Sequence, residues 1–432
     1  MSPLALAFCG IVALLALLFV LRLPVGFALA LVGFAGFWMA INLRAALGMA
    51  GTETWQIFSS YGFTVIPLFI FMGQICFHSG VNKRLYHTAF TWFGPIRGGL
   101  GVATVLACAG FAAISGSNTA TAATMSTVAL PEMDKYKYHP VLGSGTVAAG
   151  STLGVVIPPS VILIVIGLQT GQPIGKLFWA ALIPGALLTL LFLVTVVIAC
   201  RVRPDMAPAG PPTTWREKGA SLPGSIEMLI LFGLVMGGLF WGWFTPSEAG
   251  AAGAGGALAL SCLTRRLKWP DFLAAVQDTL KISCMILTIV IGAVIFGRFL
   301  AVTRLPFALA QWVTGLELPA ASILLCILGI YVIGGALMDA LALLLITLPI
   351  FFPAAQTLGF DPLWFAVLVT MVTTLGAITP PVGVNAFIIS SVGQTPLGNV
   401  YKGTALFAPA FFLCLTILAL FPSLALYLPN SF

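Results

Sequence analysis

The sequence predicts an all-α integral membrane protein. Of its 432 residues, 60% are hydrophobic and only 7% are charged, and the mean hydropathy is +1.09. A soluble domain of this composition would expose too little polar surface to water. Apolar runs long enough to cross about 30 Å of hydrocarbon recur along the whole chain, which indicates helical spans rather than the alternating strands of a membrane barrel.

Twelve apolar segments define the predicted elements. They cover residues 3–21, 24–41, 58–78, 98–130, 140–170, 177–200, 224–244, 247–263, 282–302, 319–352, 362–391 and 404–428. Segments 98–130 and 319–352 are too long for one span and carry "ISGSNTATA" and "IGGALMDALA" at their centres. Each is predicted to be a re-entrant helical hairpin whose tip is buried in protein or lines a cavity. The other ten segments are predicted to cross the membrane, and the first of them is a retained helix because it lacks a signal peptide's basic start and cleavage site.

Basic residues support this topology. With ten crossings and two hairpins, all of the 19 Lys and Arg residues except Arg44, Lys176, Arg298 and Arg304 fall on one face. The positive-inside rule makes that face cytoplasmic and places both chain termini outside. Membrane topology thus explains the net charge of +7, and no basic patch with interleaved aromatic residues suggests nucleic-acid binding.

The remaining segments are connections and scattered polar residues. A polar linker at 201–223 is predicted to be cytoplasmic and to separate the halves 1–200 and 224–432, while amphipathic segments 82–94 and 268–281 are predicted to lie along the membrane surface. The eight cysteines show no paired spacing, so neither a disulfide nor a metal site is expected. The histidines His78, His87 and His139 are assigned to interfacial packing, and the tryptophans to the aromatic belt.

The chain contains an internal repeat with a shift of 222 residues. This shift superimposes Pro24 on Pro246, Pro140 on Pro362, Leu153 on Leu375, Gly154 on Gly376, Pro158 on Pro380, Pro159 on Pro381 and Ser117 on Asp339. Each half has five crossings and one hairpin, and because five is odd the halves must have opposite orientations. Inverted repeats of this kind are typical of secondary transporters.

Two proline pairs interrupt segments that would otherwise be continuous helices. "STLGVVIPPS" lies in segment 140–170 and "TTLGAITPPV" in segment 362–391. Proline lacks the N–H that a helix needs, so each segment is predicted to be a broken helix. The freed carbonyls can coordinate a cation, and the N-terminus of the second half-helix favours an anion.

The hairpin tips carry the polar groups of greatest interest. An isolated carboxylate such as Asp339 costs about 2.5 to 3.5 kcal/mol within a membrane, so it should serve a coupling cation, carry a proton or cap a helix. The tip "SGSNT" at 115–119 offers only oxygen ligands, which suit a hard ion such as Na⁺, although Ser and Asn also cap helices well.

Four motifs together make the chain resemble the large membrane subunit of tripartite ATP-independent periplasmic (TRAP) transporters. They are "SGSNTATAATM", "GTVAAGSTLGVVIPPS", "GGALMDALALLLITLPI" and "TTLGAITPPVGVNAF". The resemblance spans nearly the full length. It implies an elevator-type, sodium-driven importer of an organic acid, such as a dicarboxylate or a sialic acid, in the bacterial inner membrane. It also implies a periplasmic binding protein and a separate small four-helix membrane subunit as partners.

The resemblance also implies site residues. One sodium site would contain Ser115, Ser117, Asn118, Gly154, Val156 and Pro158, and a second would contain Gly335, Asp339, Gly376, Ile378, Thr379 and Pro380. The substrate carboxylate would lie near Asn118, Thr119, Thr379 and Asn385. Hairpin two has "MDA" where hairpin one has "SNT", so the second site departs from the pattern of the first.

Other functions remain as alternatives. The first is a standalone sodium/dicarboxylate symporter of the same superfamily that needs no binding protein, and another is a channel or structural subunit. A membrane-embedded enzyme is disfavoured because no histidine is predicted at the depth of Asp339 and no GxSxG or metal-ligand spacing occurs in the hairpins. No cofactor is expected, apart from Na⁺ as a coupling ion.

Overall fold

The computed structural model describes residues 2–315 and 318–431, and within these ranges the regular structure is helical. The first-half helices are α1 (Pro3–Phe19), α2 (Val25–Ala40), α3 (Leu43–Ser59), α4 (Val65–His78), α5 (Val81–Phe93), α6 (Gly99–Ser115), α7 (Asn118–Lys135), α8 (Pro140–Val156), α9 (Val161–Thr170) and α10 (Ile174–Val202). The linker contains α11 (Trp215–Ser221). The second-half helices are α12 (Pro223–Phe240), α13 (Pro246–Leu263), α14 (Trp269–Val302), α15 (Leu305–Gly315), α16 (Ala320–Leu337), α17 (Ala340–Thr357), α18 (Pro362–Gly376), α19 (Val384–Val392), α20 (Leu397–Leu420) and α21 (Ser423–Ser431).

The lengths and compositions of these helices confirm an all-α membrane protein. Among the described residues, eight helical stretches are long and apolar enough to cross a bilayer, and one of them combines α8 and α9. Four shorter apolar helices, α1, α2, α6 and α18, accompany them. The division into ten crossings and two re-entrant hairpins stays a prediction.

The predicted hairpins and broken helices correspond to pairs of helices. Helices α6 and α7 form hairpin one, and α16 and α17 form hairpin two. Each broken helix divides at a proline pair, with α8 and α9 flanking the first and α18 and α19 flanking the second. Both proline–proline bonds, Pro158–Pro159 and Pro380–Pro381, are cis.

The helix bounds repeat with the same shift of 222 residues. Helix α7 begins at Asn118 and α17 begins at Ala340, while α8 and α18 begin at the related prolines Pro140 and Pro362. The related elements α3 and α4 are separate helices joined by a short 3₁₀ turn at Tyr61–Thr64, whereas their second-half counterpart is the single helix α14.

The prediction of a separate surface helix at 268–281 is therefore wrong. This segment is the first part of α14, which continues to Val302 without a break. No proline occurs in this helix after Pro270, so nothing in the local sequence forces the chain to turn where the membrane would begin. Helix α3 was not predicted from the sequence, because polar residues interrupt its apolar ones.

The helices form two packing units. In the scaffold, defined as α2, α4, α13 and α14, α2 packs on α14, α13 packs on α4, and α4 packs on α14. In the hairpin unit, defined as α6–α9 and α16–α19, each hairpin packs on the broken helix of its own half. Close approach in the scaffold depends on glycine, since a Cβ at Gly33 would lie 2.6 Å from the Phe296 Cα.

The polar linker is fixed to the first half rather than free. The Gly210 N–H donates to Gly94 O at 3.0 Å, the Thr213 hydroxyl donates to Thr91 O at 2.8 Å, and the Thr88 hydroxyl donates to Ser221 O at 2.6 Å. These bonds bind the linker along α5 and the turn that leads into hairpin one. An ion pair between Arg84 of α5 and Glu227 of α12 extends the attachment.

We expect Gly33→Ala to destabilise the scaffold, because the added methyl group would overlap the backbone of α14. Overpacking of this kind costs about 1–3 kcal/mol, so thermal unfolding of the purified protein in detergent should occur at a lower temperature. Gly48→Ala is the matched control, since a Cβ there meets nothing within 4 Å. An equal melting temperature for Gly33→Ala and the wild type would contradict the close packing of α2 on α14.

Candidate functional site

The tip of hairpin one is clasped to the first helix break. The Val161 N–H, at the start of α9, donates to Gly116 O at 3.3 Å. Gly116 has a φ of +59°, a conformation that glycine adopts without strain, and a Cβ at Gly154 would lie only 2.4 Å from Ser117 O. The structure thus brings together the two segments from which the first sodium site was predicted.

The tip of hairpin two is clasped to its own break at the repeat-related position. Gly383, which is 222 residues after Val161, donates its N–H to Ala336 O at 2.8 Å. Helices α16 and α18 also touch at Gly335 and Gly376, where a Cβ on Gly376 would lie 2.7 Å from the Gly335 Cα. Each hairpin thus supplies a backbone acceptor for an N–H at the start of the second half-helix of its break.

The carbonyl groups differ between the two breaks. Pro158 has no N–H to donate to Gly154 O, and the carbonyls of Gly154, Val156 and Pro158 accept no hydrogen bond from the described part of the chain. In the second break, Gly376 O accepts the Thr379 N–H at 2.9 Å. The first break thus presents backbone oxygens that are available to a cation, whereas the predicted Gly376 ligand already has a donor.

Side chains at the first tip use some of their polar groups and leave one unused. Ser117 Oγ caps α7 by accepting the Ala120 N–H at 3.3 Å, and it lies 3.1 Å from Thr119 Oγ1. Ser115 Oγ lies 3.3 Å from Thr121 Oγ1. Asn118 Oδ1 accepts the Thr119 N–H at 2.8 Å, but its buried Nδ2 has no partner among the described residues. Helix capping therefore accounts for only part of this polar cluster.

Asp339 belongs to a different part of the site from the other predicted ligands of hairpin two. Its Oδ1 caps α17 by accepting the Leu341 N–H at 2.9 Å. Its side chain is half-buried and lines a cavity of about 390 Å³ together with Ser115, Ser117, Asn118 and Thr119 of hairpin one. The structure thus places the carboxylate of hairpin two beside the polar tip of hairpin one.

This cavity lies between the scaffold and the hairpin unit. Helices α4 and α14 each present one face to it, with lining residues Ile70, Gly73, Gln74 and Phe77 of α4 and Asp278, Ile282, Met285 and Ile286 of α14. The remaining wall is formed by hairpin one, the start of α9 and the tip of hairpin two. Asp278 and Asp339 are its charged lining residues, so the cavity is suited to a cation or to a ligand that binds with one.

The predicted substrate residues are divided between two places. Asn118 and Thr119 line the cavity. Asn385 is fully buried in the second broken helix, where its Nδ2 donates to Ser151 Oγ of α8 at 3.1 Å and its Oδ1 has no partner among the described residues. Thr379 donates its hydroxyl to Leu375 O at 2.7 Å, and neither residue lines the cavity.

The sequence analysis did not identify two polar residues on the scaffold side of the cavity, Asp278 and Gln74. Asp278 Oδ2 lies 3.0 Å from His78 Nε2, a pair that joins the end of α4 to α14 at the edge of the cavity. Gln74 lies one helical turn before His78. No local spacing could indicate the pair, because its members are 200 residues apart, although a glutamine within an apolar run was a visible signal.

A larger cavity of about 770 Å³ lies at the ends of α7 and α19. Its lining includes Asp134, Tyr138, His139 and Gln394, but none of the predicted site residues. This cavity is the larger of the two, but we assign the candidate site to the smaller cavity because polar groups of both hairpins line it.

Comparison with known proteins gives a family match over almost the whole chain. The family model for the DctM component of tripartite ATP-independent periplasmic transporters matches residues 12–424. The chain is 34% identical to the C4-dicarboxylate TRAP transporter large permease protein DctM of Pseudomonas aeruginosa, over 89% of this chain and 94% of that protein. It is 30% identical to the sialic acid TRAP transporter large permease protein SiaM of Vibrio cholerae, over 95% of each.

A solved structure supports the fold independently. The crystal structure of the YdaH transporter of Alcanivorax borkumensis matches with a TM-score of 0.62 at 15% sequence identity, over 90% of this chain and 89% of that one. At this identity the likeness concerns the fold alone, which is that of a membrane transporter. The two sequence relatives are permease subunits and not enzymes, so the prediction that the protein is not an enzyme is confirmed.

We expect Gly154→Ala to open the clasp between hairpin one and the first break. The new methyl group would overlap Ser117 O, a backbone atom that can move only with the whole tip. Hydrogen–deuterium exchange of peptides covering residues 114–121 and 157–164 should therefore become at least tenfold faster. Gly175→Ala is the control, since a Cβ there meets nothing within 4 Å, and unchanged exchange in Gly154→Ala would contradict the clasp.

Proposed function

The chain belongs to the DctM family of TRAP transporters, and we propose that it is a sodium-coupled permease subunit that imports an organic acid delivered by a periplasmic binding protein. Family membership confirms the resemblance read from the hairpin and break motifs, and it makes the protein a multi-pass membrane transporter. The proposal adds the coupling ion, the mechanism and the direction of transport.

The observation that carries the proposal is the cavity shared by both hairpin tips. Asn118 Nδ2 is buried without a partner at the N-terminus of α7, where backbone N–H groups and the helix dipole also favour negative charge. A substrate carboxylate would supply the missing acceptor. Thr119 lies on the same first turn and lines the same cavity.

Sodium would neutralise the charge that a carboxylate substrate meets there. Ser115 and Ser117 lie beside the first break, whose Gly154 and Val156 carbonyls have no donor in the described chain. Hydroxyl and carbonyl oxygens suit a hard cation such as Na⁺. Asp339 would serve a second ion close to the substrate, with Gly335, Ile378 and Thr379 as the other parts of that predicted site.

Unequal contacts of the two hairpins with the scaffold support an elevator mechanism. A Cβ at Gly73 of α4 would lie 3.3 Å from the Ser115 Cα at the tip of hairpin one. For hairpin two, the contact with α14 lies farther from the tip. A Cβ at Gly297 of α14 would lie 3.9 Å from Pro349, which follows the tip residue Asp339 by ten residues, or about 15 Å along α17. Two repeat-related hairpins thus meet related scaffold helices at different depths, as expected if the hairpin unit is displaced towards one face.

The proposed setting follows from the family and the charge pattern. A tripartite transporter implies a binding protein and a small four-helix membrane subunit beside this chain, in the bacterial inner membrane. The positive-inside rule places the linker in the cytoplasm and both termini in the periplasm. On this topology hairpin one and the pair His78–Asp278 would face the cytoplasm, and we propose that the described arrangement is the inward-facing one.

We expect Asp339→Asn to reduce sodium stimulation of uptake at least tenfold, because the amide lacks the negative charge that would hold the cation. The measurement is the sodium dependence of initial uptake rates for radiolabelled succinate and N-acetylneuraminate in proteoliposomes containing the complete complex. Asp361→Asn is the control, because Asp361 also caps a helix, by accepting the Leu363 N–H at 2.8 Å, but does not line the cavity. Unchanged sodium stimulation in Asp339→Asn would remove Asp339 from the ion site.

We also expect uptake to require the periplasmic binding protein and the small subunit. Proteoliposomes with all three components should accumulate substrate on addition of external Na⁺, and omission of the binding protein should abolish accumulation. Transport by the large subunit alone would instead support the standalone sodium/dicarboxylate symporter. Ion flux without substrate would support a channel.

A further inference from the structure

We propose that Gln74 of the scaffold is a further substrate-binding residue, which faces Asn118 across the cavity and contacts the substrate in the inward-facing arrangement. The inference rests on the proposed function and extends it to the scaffold wall. Asn118 moves with the hairpin unit, whereas Gln74 belongs to the helix pair against which that unit would slide.

The scaffold wall is apolar around Gln74. The cavity-facing residues of α4 follow helical spacing, at positions 70, 73, 74 and 77, and Gln74 is the polar side chain among them. The other helix of this wall, α14, contributes Ile282, Met285 and Ile286 beside Asp278. An amide in such surroundings is costly unless it has a hydrogen-bond partner.

The Gln74 amide has no such partner among the described residues. It is half-buried within an apolar span, and it makes no hydrogen bond within the part of the chain that the structure describes. Asn118 Nδ2 on the facing wall is also unpartnered, with the residue only 4% exposed. Two carboxamides with unused hydrogen-bonding groups thus line one cavity from its two sides.

The two walls are close enough for one small ligand to bridge them. Gly73, next to Gln74, lies against the backbone of Ile114 and Ser115, where a Cβ would be 3.3 Å from Ile114 O. The cavity volume of about 390 Å³ lies within the range for small-molecule sites. An organic acid with a carboxylate at one end and a further polar group would satisfy the Asn118 donor and the Gln74 amide together.

The charge on the scaffold wall agrees with a neutral contact at Gln74. Asp278 is the acidic residue on this wall, and its carboxylate is 48% exposed and lies 3.0 Å from His78 Nε2. The pair is therefore partly exposed at the end of α4, while Gln74 lies one turn earlier in α4, on the same face as His78. The polar side chain at this level of the scaffold wall is thus an uncharged amide rather than a carboxylate.

A contact made from the scaffold would act on one side of the membrane. When the hairpin unit moves, Asn118 leaves Gln74, so the scaffold residue would contribute to binding at the cytoplasmic face and not to loading from the binding protein. Removal of the Gln74 amide should consequently weaken substrate binding from the inside and leave the external KM unchanged.

Thiol labelling tests whether Gln74 faces a water-filled cavity, whatever the substrate is. In a variant with the eight native cysteines replaced, Gln74→Cys should react with the membrane-impermeant reagent MTSET in inside-out vesicles and not in right-side-out vesicles. Cys76, two residues away and 1% exposed, retained as the single native cysteine in the same background, is the control and should react in neither. Reaction of Gln74→Cys as slow as that of Cys76 would overturn the proposal even if transport is sodium-driven.

Trans-inhibition tests the contact itself in proteoliposomes with the complete complex. Binding protein added outside activates only those molecules whose periplasmic face points outwards, and unlabelled succinate or N-acetylneuraminate loaded inside competes at the cytoplasmic face. Gln74→Leu should raise the internal concentration for half-inhibition at least fivefold at unchanged external KM, and Gln74→Asn should restore part of the effect. Gln56→Leu, the same change at an exposed glutamine of α3 that does not line the cavity, should behave as the wild type. Equal half-inhibition for Gln74→Leu and the wild type would overturn the proposal, whereas absence of sodium-driven uptake by the wild type would count against the proposed function and leave the labelling result to decide on Gln74.

Discussion

The need to satisfy backbone hydrogen bonds in the absence of water is the constraint on which this structure depends. Two proline pairs violate it within the broken helices, since Pro158, Pro159, Pro380 and Pro381 have no N–H to donate. The hairpin tips meet part of the constraint, because they accept the N–H groups of Val161 and Gly383, at positions related by the repeat, while carbonyls of the first break stay without a donor in the described chain. Each hairpin is therefore held at the break of its own half, and the polar tips are fixed deep in the protein.

The repeat supplies the same backbone frame twice, but the two sites differ in chemistry. At the first break the Gly154 carbonyl has no donor in the described chain, and the adjoining hairpin tip carries the hydroxyl groups of Ser117 and Thr119. At the second break the Gly376 carbonyl accepts the Thr379 N–H, and the hairpin offers the carboxylate of Asp339 instead. The related elements thus present different groups, backbone carbonyls and hydroxyls at the first break and a carboxylate at the second hairpin.

The division into a scaffold and a hairpin unit gives the site two walls with different roles. Glycines such as Gly33 bring the scaffold helices into close contact, while the linker is bonded along α5 beside hairpin one. The cavity between the units receives Asn118 and Asp339 from one side and Gln74 from the other. In the proposed elevator mechanism, a ligand held between these walls would be released when the hairpin unit moves past the scaffold.

The sequence by itself determined the membrane helices, the hairpin tips and the helix breaks, because hydrocarbon length and the missing N–H of proline act locally. It also determined the 222-residue relation between the two halves. Only the tertiary structure decided that residues 268–302 form one helix, that Asp339 lies beside hairpin one, and that His78 pairs with Asp278. These outcomes depend on how two packing units meet across hundreds of residues, and no local pattern of polar and apolar residues specifies that contact.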